Sequence, residues 1–355
     1  MWKIFFVLFF LISAEFSRAS QARVSALQSN HLIDPEYTYL FPVKLVELPD
    51  YVLFQSGATL DPVFNRRPYI AFKRSFQSDQ SDHYAVSLTL GRQSHLVDTA
   101  RQRSNTVMGA NFDRTSNPLD FTYAIRNEGT SYSLGFFYAD QKDKLHQVGN
   151  HAGTLKLGFR MDDFIFSSDI GLFNMVDDIA TGSRLSINQS FMGALVYEMD
   201  DIQFILDMSS SRSKRDVSGV ETNSIELLNY KMGMVKNTFN GNETIFYRIN
   251  LETDQIKNRG AHINSREIRM PVTLGFESIL TEEIKLRSSI KQIVGVYQSE
   301  DFAAGPNTTS AAVGLGFNFK KLTLDGTLQG LIGSTANQQL DANQFLTETS
   351  LTYWF

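Results

Sequence analysis

The charged residues are the best candidates for a functional site in this chain. Its histidines and acidic pairs form no recognisable catalytic or metal-binding motif. The six His residues, at positions 31, 83, 95, 146, 151 and 262, lack metal-ligand spacing such as His-x-x-x-His, and no Gly-x-Ser-x-Gly elbow occurs. The doublets Asp162-Asp163, Asp177-Asp178 and Asp200-Asp201 could be Ca²⁺ or acid/base sites, but charged turns are the simpler interpretation. The sequence therefore predicts no enzyme, no metal site and no cofactor.

A second set of charged residues recurs at alternate positions of strand-like segments. Six cations share the polar face of four consecutive predicted strands and would form a basic wall: Lys231, Arg248, Arg269, Lys285, Arg287 and Lys291. Acidic residues also occupy inward-facing positions, and these lie on other predicted strands: Asp120, Asp169, Glu198, Asp207, Asp325 and Glu348. Across an aqueous channel, opposite charges create a transverse field that orients polar solutes. Alternatively, these side chains pair with one another and fill a closed lumen.

The elements that must position these charges are runs of about ten residues that alternate apolar and polar. In residues 83–91, Tyr84, Val86, Leu88 and Leu90 share one face, and in residues 244–251 the apolar and polar positions alternate in the same way. Charged residues recur in the middle of the polar faces, where a small packed interior would reject them. This pattern favours a wide barrel over a sandwich.

The connections between these runs differ in length. Tight ones are predicted at Met161–Asp163, Met199–Asp201, Thr281–Glu283 and Lys320–Lys321. Long ones are predicted at about 140–151, 175–183, 210–224, 253–266, 298–309 and 331–343. Counting back from the last strand puts every tight turn at one end of a barrel, the arrangement of short periplasmic turns and long extracellular loops. The count gives about 16 strands beginning near Tyr69, with 14 or 18 also acceptable. It requires a long periplasmic connection at 91–105 and a short outer loop at 115–118.

The N-terminal residues differ from the rest of the chain. Lys3 precedes an apolar run over residues 4–12 that is too short to span a bilayer as a helix, and small residues follow at Ser17 and Ala19. This layout predicts a signal peptide over residues 1–19, cleaved after Ala19. Residues 20–66 are aromatic and Pro-punctuated rather than alternating. They are expected to be a periplasmic or lumen-plug segment, followed by the barrel at 67–355.

Composition narrows the class of protein further. The chain has 28 Phe, 13 Tyr, 8 Pro and no Cys, which excludes a disulfide scaffold. The net charge of -5 comes with no long basic run, so nucleic acid is not an expected partner. The mean hydropathy is slightly hydrophilic, as expected for strands that face lipid on one side and water on the other.

The final residues carry a resemblance to a known class. Leu351, Tyr353 and Phe355 stand at period-2 positions and would share one face of a last strand. This tail resembles the C-terminal strand of bacterial outer-membrane β-barrels, which ends in Phe and is read by the barrel-assembly machinery. The resemblance implies an antiparallel up-and-down barrel in the bacterial outer membrane. Its implied partners are membrane lipid, the assembly machinery and small hydrophilic solutes, and a homotrimer is among the possible assemblies.

Two functions follow from this resemblance and from the lumen charges. The first is a porin through which small hydrophilic solutes and ions diffuse passively. The second is a non-conducting barrel, closed by residues 20–66 or by long loops, with a structural or adhesion role. The resemblance to porins covers about residues 69–355 in pattern, without a Pro-Glu-Phe-Gly-Gly-type constriction loop. A transporter of hydrophobic substrates is disfavoured by the inward charges.

Overall fold

The structure is a computed structural model that describes residues 21–28, 37–59, 68–77, 83–92, 94, 96–97, 100–101, 117–143, 148–178, 181–259, 263–299, 308–332 and 346–355. These residues form sixteen antiparallel strands that close into one barrel, as the sequence predicts. Each strand pairs with its neighbours in the chain, and β1 pairs with β16. The expected signal peptide, residues 1–19, lies outside the described residues.

The bounds of the elements are as follows. The helices are α1 (Gln21–Leu27), α2 (Tyr37–Leu40) and a 3₁₀ helix (Pro42–Glu47). The strands are β1 (Tyr51–Thr59), β2 (Tyr69–Gln77), β3 (His83–Leu90), β4 (Leu119–Asn127), β5 (Thr130–Asp143), β6 (Val148–Met161), β7 (Phe164–Asp178), β8 (Ser183–Met199), β9 (Ile202–Val217), β10 (Val220–Asn240), β11 (Glu243–Asn258), β12 (Ile263–Ile279), β13 (Ile284–Gln298), β14 (Thr308–Phe319), β15 (Leu322–Ile332) and β16 (Leu346–Trp354).

The strands expose their apolar side chains outward and bury their polar ones inward. On β11, Tyr247, Ile249 and Leu251 are 48%, 45% and 40% exposed, whereas Arg248 and Asn250 between them are buried. A barrel surrounded by water would have the opposite arrangement. The apolar outer surface is therefore suited to contact with the hydrocarbon of a membrane. None of the described helices is long and apolar enough to cross a membrane.

The two ends of the barrel differ. Tyr51 pairs with Trp354, and the Phe355 N–H donates to the Asp50 carbonyl (3.1 Å), so both described ends of the barrel wall meet at one rim, here called the terminal rim. The four predicted tight connections all lie at this rim. Asp162 and Asp200, at φ 49° and 50°, adopt the positive φ that two-residue hairpin turns favour. The opposite end is called the loop rim.

The last strand has the predicted alternation. Leu351, Tyr353 and Phe355 are exposed on the outer face, whereas Ser350 and Thr352 are buried on the inner face. Outward aromatic rings contact one another along the terminal rim, including Phe72 with Phe355, Tyr132 with Phe159 and Phe164 with Tyr197. These rings form the aromatic girdle that barrels place at a membrane interface.

The barrel begins earlier in the chain than predicted. Residues 51–59 form β1, so the expected boundary between an N-terminal segment at 20–66 and a barrel at 67–355 is wrong. Tyr51 and Leu53 pack inward against Leu48 while Phe54 faces outward, so both faces of β1 are apolar and the alternation that marks other strands is missing.

A second correction concerns the segment between β3 and β4. Leu90 pairs directly with Leu119, so the connection from β3 to β4 begins and ends at the loop rim. The predicted periplasmic position of the connection that begins at Gly91 is therefore wrong. β3 and β4 are neighbours in the barrel wall, and β1 completes the sixteen strands. The strand predicted between 105 and 115 lies outside the described residues.

Several predicted long loops are largely strand. The segment 210–224 is a continuous hairpin with a turn at Ser218-Gly219, and 253–266 and 140–151 also contain strand residues on both sides. Strands β8–β12 contain 16 to 21 residues, more than the roughly 10 that cross a bilayer. The wall therefore extends beyond the membrane on this side of the barrel.

Candidate lumen site

Helix α1 lies inside the barrel, against the inner face of β12–β16. The guanidinium of Arg23 donates to both carboxylate oxygens of Glu277, at 2.9 Å each. Arg287 donates to Glu277 and also to Asp325. These four side chains, all buried, form an alternating chain of two cations and two carboxylates. Bidentate, charge-assisted pairs of this kind are stronger than neutral hydrogen bonds, so they anchor α1 to the wall.

The wall is also shaped to receive the backbone of α1. The Ser289 hydroxyl donates to the Ala26 carbonyl at 2.6 Å, and the Thr327 hydroxyl donates to the Ala22 carbonyl. A Cβ atom on Gly314 would lie 2.6 Å from the Ala26 Cβ, so only glycine permits this approach without a shift. Hydrogen bonds, ion pairs and shape therefore all specify the docked position of α1.

Helix α2 and the 3₁₀ helix cross the lumen near the terminal rim. On one side, their apolar residues Tyr37, Phe41 and Val43 pack against inward residues of β7–β10, namely Ile165, Val196, Ile205 and Val235. On the other side, Leu45 packs against Ala85 of β3 and Ala124 of β4. Since β3 and β4 are separated from β7–β10 around the barrel, residues 37–48 bridge two parts of the wall.

The bridging segment carries a buried lysine. Lys44 Nζ lies 3.2 Å from carboxylate oxygens of both Glu47 and Glu198. Arg160 contacts the same two carboxylates. Burial lowers the pKa of Lys44 to about 8, although Glu198 opposes this change by favouring the charged form.

The connection between β3 and β4 also enters the lumen. Val97 packs against Phe137, Ala139 and Ala152, and Ala100 packs in a cluster with Val176, Leu185, Ile187, Ile225 and Leu227. Arg101 Nε donates to the Asn174 side chain at 2.6 Å. These contacts hold the connection against β5–β8 and β10, in the half of the lumen nearer the loop rim.

Four charged residues form a row on the inner face of β9–β12. Asp207, Lys231, Glu252 and Arg269 lie directly opposite one another on adjacent strands. Lys231 Nζ is 3.1 Å from Asp207, and Arg269 Nε is 3.0 Å from Glu252. Their side chains are 24%, 16%, 17% and 30% exposed, in chain order. This is called the charged row below.

The other predicted cations occupy different surroundings. Arg248 is buried, and its Nε donates to Asn250 at 3.3 Å. Lys285 and Arg287 are buried beside Glu277, where α1 docks. Lys291, on β13, is half-buried.

The predicted acidic residues are also distributed around the inner wall. Asp120 forms an ion pair with Lys156, and Asp169 lies directly opposite Lys156 on β7. Glu198 contacts Lys44 near the terminal rim, and Glu348 is buried on the inner face of β16.

The wall predicted to be basic carries carboxylates as well as cations. Four carboxylates on the same strands were missed, namely Glu252, Asp254, Glu267 and Glu277. Arg269 lies within 4 Å of the first three, and Arg287 binds the fourth. Their parity matches that of Arg248 on β11 and Arg269 on β12, so alternation alone could have found them. The expectation that inward acids lie on other strands is corrected accordingly.

The predicted histidine and acidic-doublet sets lie only partly within the described residues. His151 Nδ1 lies 2.9 Å from Asp140, and its predicted loop companion His146 lies outside the described residues. Asp162 and Asp200 occupy hairpin turns, and Asp177 pairs with Arg184. No group of three or more His, Asp or Glu side chains in the described part of the chain could hold a metal ion.

The architecture is that of a porin-like outer-membrane β-barrel, with sixteen strands, an apolar exterior and a polar interior. No protein-family model matches the chain, and no curated protein matches it. Among solved structures, a porin refined at 1.8 Å is 8% identical, covering 87% of this chain and 99% of its own, with a TM-score of 0.43. OmpT of Vibrio cholerae, folded in vitro, is 8% identical with a TM-score of 0.47, and the match covers 86% of this chain and 95% of OmpT. CdiB from Escherichia coli is 11% identical with a TM-score of 0.44, and the match covers 87% of this chain but 63% of CdiB.

Proposed function

We propose that this protein is a porin of the bacterial outer membrane, through which small hydrophilic solutes and ions diffuse passively. The observation that carries the proposal is the charged row, whose side chains keep 16% to 30% of their surface exposed inside a closed barrel. Ionised side chains are stable in such a place when water or an opposite charge solvates them. Water at the inner face of β9–β12 supplies a path for solutes, and the solute gradient drives their movement.

The lumen segments limit the size of the solutes in this proposal. Helix α1 covers part of β12–β16, residues 37–48 bridge β3–β4 and β7–β10 near the terminal rim, and the β3–β4 connection lies against β5–β8. A barrel of sixteen strands is wide enough to hold an aqueous channel, and these segments reduce its cross-section. We infer a narrow pore with no enzymatic step.

Single-channel recording tests the proposal. The mature protein is folded into detergent, its sheet content is confirmed by circular dichroism, and it is added to a planar bilayer. The expected result is discrete current steps whose size rises in proportion to salt concentration. A heat-unfolded sample of the same preparation serves as the control. A fully folded barrel that gives no steps contradicts the porin proposal.

A second candidate function is a non-conducting barrel with a structural or adhesion role. The buried ion pairs of Arg23, Glu277 and Arg287 favour it, because they hold α1 firmly inside the lumen. Deleting residues 20–48 separates the two functions, since the deletion leaves every barrel strand intact. If the full chain is silent and the shortened chain conducts, the N-terminal residues close the lumen and the second function is favoured.

The proposal includes how the barrel is assembled. The outward positions of Leu351, Tyr353 and Phe355 support a role for this strand as the signal read by the assembly machinery. Export through a cleaved signal peptide at residues 1–19 belongs to the same proposal, and a homotrimer is among the assemblies it allows. Cross-linking in native membranes would report the number of subunits.

A further inference from the structure

The charged row alternates in sign along its whole length. Negative Asp207 faces positive Lys231, which faces negative Glu252, which faces positive Arg269. Adjacent strands lie roughly 4.7–4.9 Å apart, so opposite charges follow one another at about that interval around the inner wall. Like charges are therefore separated by two strand spacings.

The residues around the charged row also carry equal numbers of positive and negative charges. Arg269 also binds Asp254 (2.9 Å) and lies 3.8 Å from Glu267. Two further cations, Arg248 and Lys291, interact electrostatically with Glu252. The cluster of eight therefore contains four positive and four negative groups. A wall with no net charge gives a small anion or cation no large advantage over the other.

We propose that the charged row makes the lumen selective for small zwitterionic solutes, such as α-amino acids, over neutral molecules of equal size. This inference rests on the proposed porin function. A zwitterion carries an ammonium and a carboxylate a few ångströms apart, so it contacts a wall carboxylate and a wall cation at the same time. A single ion beside the row meets attraction and repulsion together, and a neutral solute gains no ionic contact.

Two isomers of the same formula provide the test. Glycine is a zwitterion and glycolamide is neutral, although both have the composition C₂H₅NO₂. Proteoliposomes containing the full chain are placed in each solute, and the rate of swelling gives its entry rate. The ratio of the glycine entry rate to the glycolamide entry rate is calculated after the rates in protein-free vesicles are subtracted. We expect a ratio of about three, the effect of one partly hydrated ion pair.

The variants compare the inner row with an outer pair. In the row variant, Asp207→Asn, Lys231→Gln, Glu252→Gln and Arg269→Gln remove two charges of each sign, so the net charge does not change. The control variant, Asp201→Asn with Lys236→Gln, neutralises an exposed ion pair at the terminal rim. Circular dichroism confirms that both variants fold.

The outcomes separate this inference from the porin proposal. The row variant is expected to bring the ratio close to one, while the control variant keeps the native ratio. Equal ratios in the native protein and the row variant, with both solutes entering, overturn the zwitterion inference and leave the porin intact. If neither isomer enters through a folded native barrel and no current steps occur, the porin function fails and this inference fails with it.

Discussion

Replacing Arg23 by Gln tests whether ion pairs hold α1 in the lumen. In the native protein Arg23 and Arg287 pair with Glu277 and Asp325 in one buried chain of alternating charges. The substitution removes the two charge-assisted hydrogen bonds of 2.9 Å between Arg23 and Glu277. Each such bond contributes roughly 1.5–3 kcal/mol, and desolvation offsets part of it. A net loss of about 3 kcal/mol corresponds to roughly a 150-fold weaker docking equilibrium.

Hydrogen exchange measures this equilibrium directly. The amides of α1 exchange when the helix leaves the wall, so their exchange rate in the variant is expected to rise by about two orders of magnitude. Arg74→Gln is the matched control, because Arg74 also pairs with a carboxylate, Asp50 at 3.2 Å, but is half exposed and outside the lumen. The control should leave α1 exchange unchanged.

The same variant is recorded in planar bilayers. Larger current steps are expected when α1 is released, because the cross-section beside β12–β16 increases. If Arg23→Gln exchanges at the native rate and conducts like the native protein, the ion pairs do not hold the helix and the reasoning is refuted. Gly314→Ala provides an independent perturbation of the same contact, since its Cβ would meet Ala26 at 2.6 Å.

Three further predictions address other parts of the barrel. Arg269→Glu is expected to shift the reversal potential in a salt gradient towards cations, because it replaces a positive charge of the charged row by a negative one; an unchanged potential would place Arg269 off the conducting path. Burial lowers the pKa of Lys44 to about 8, although Glu198 favours the charged form. Between pH 8 and 10.5, residues 37–48 therefore bind fewer protons when docked in the lumen than when released. Docking of residues 37–48 should therefore strengthen as pH rises through this interval. Hydrogen exchange of the amides in this segment should slow accordingly, after correction for intrinsic exchange rates, and Lys44→Met should abolish the effect. Phe355→Ala is expected to lower the yield of assembled barrel in cells several-fold while refolding in detergent stays close to native; equal yields in cells would argue against an assembly signal.

The barrel could be predicted because its period-2 signal is local. On β11 the sequence alternation of Tyr247, Ile249 and Leu251 with Arg248 and Asn250 became the outer and inner faces, and the tight connections became turns at the terminal rim. Lipid outside and water inside impose opposite preferences on successive residues, so each strand carries its own signal.

The first strand was missed where that signal is lost. Tyr51-Val52-Leu53-Phe54 is apolar on both faces, because its inward residues pack on Leu48 rather than facing water. Phe204-Ile205-Leu206 of β9 is apolar on both faces for the same reason, since Ile205 packs on residues 37–43. A continuous apolar run within a barrel strand therefore marks a part of the wall that another segment covers. Applied in advance, that rule would have indicated that the inner faces of β1 and β9 are covered.

The sequence by itself determined that this chain forms an antiparallel barrel with about sixteen strands, an apolar exterior and an inward set of charges. Those properties depend on residue parity within each strand. Only the tertiary structure decided which charges meet, because pairing depends on register between strands and on segments distant in the chain. Arg23 reaches Glu277 across 254 positions, and Glu252 neutralises Arg269 because two strands align. Closure of the barrel brings these groups together, and no local pattern encodes the distances between them.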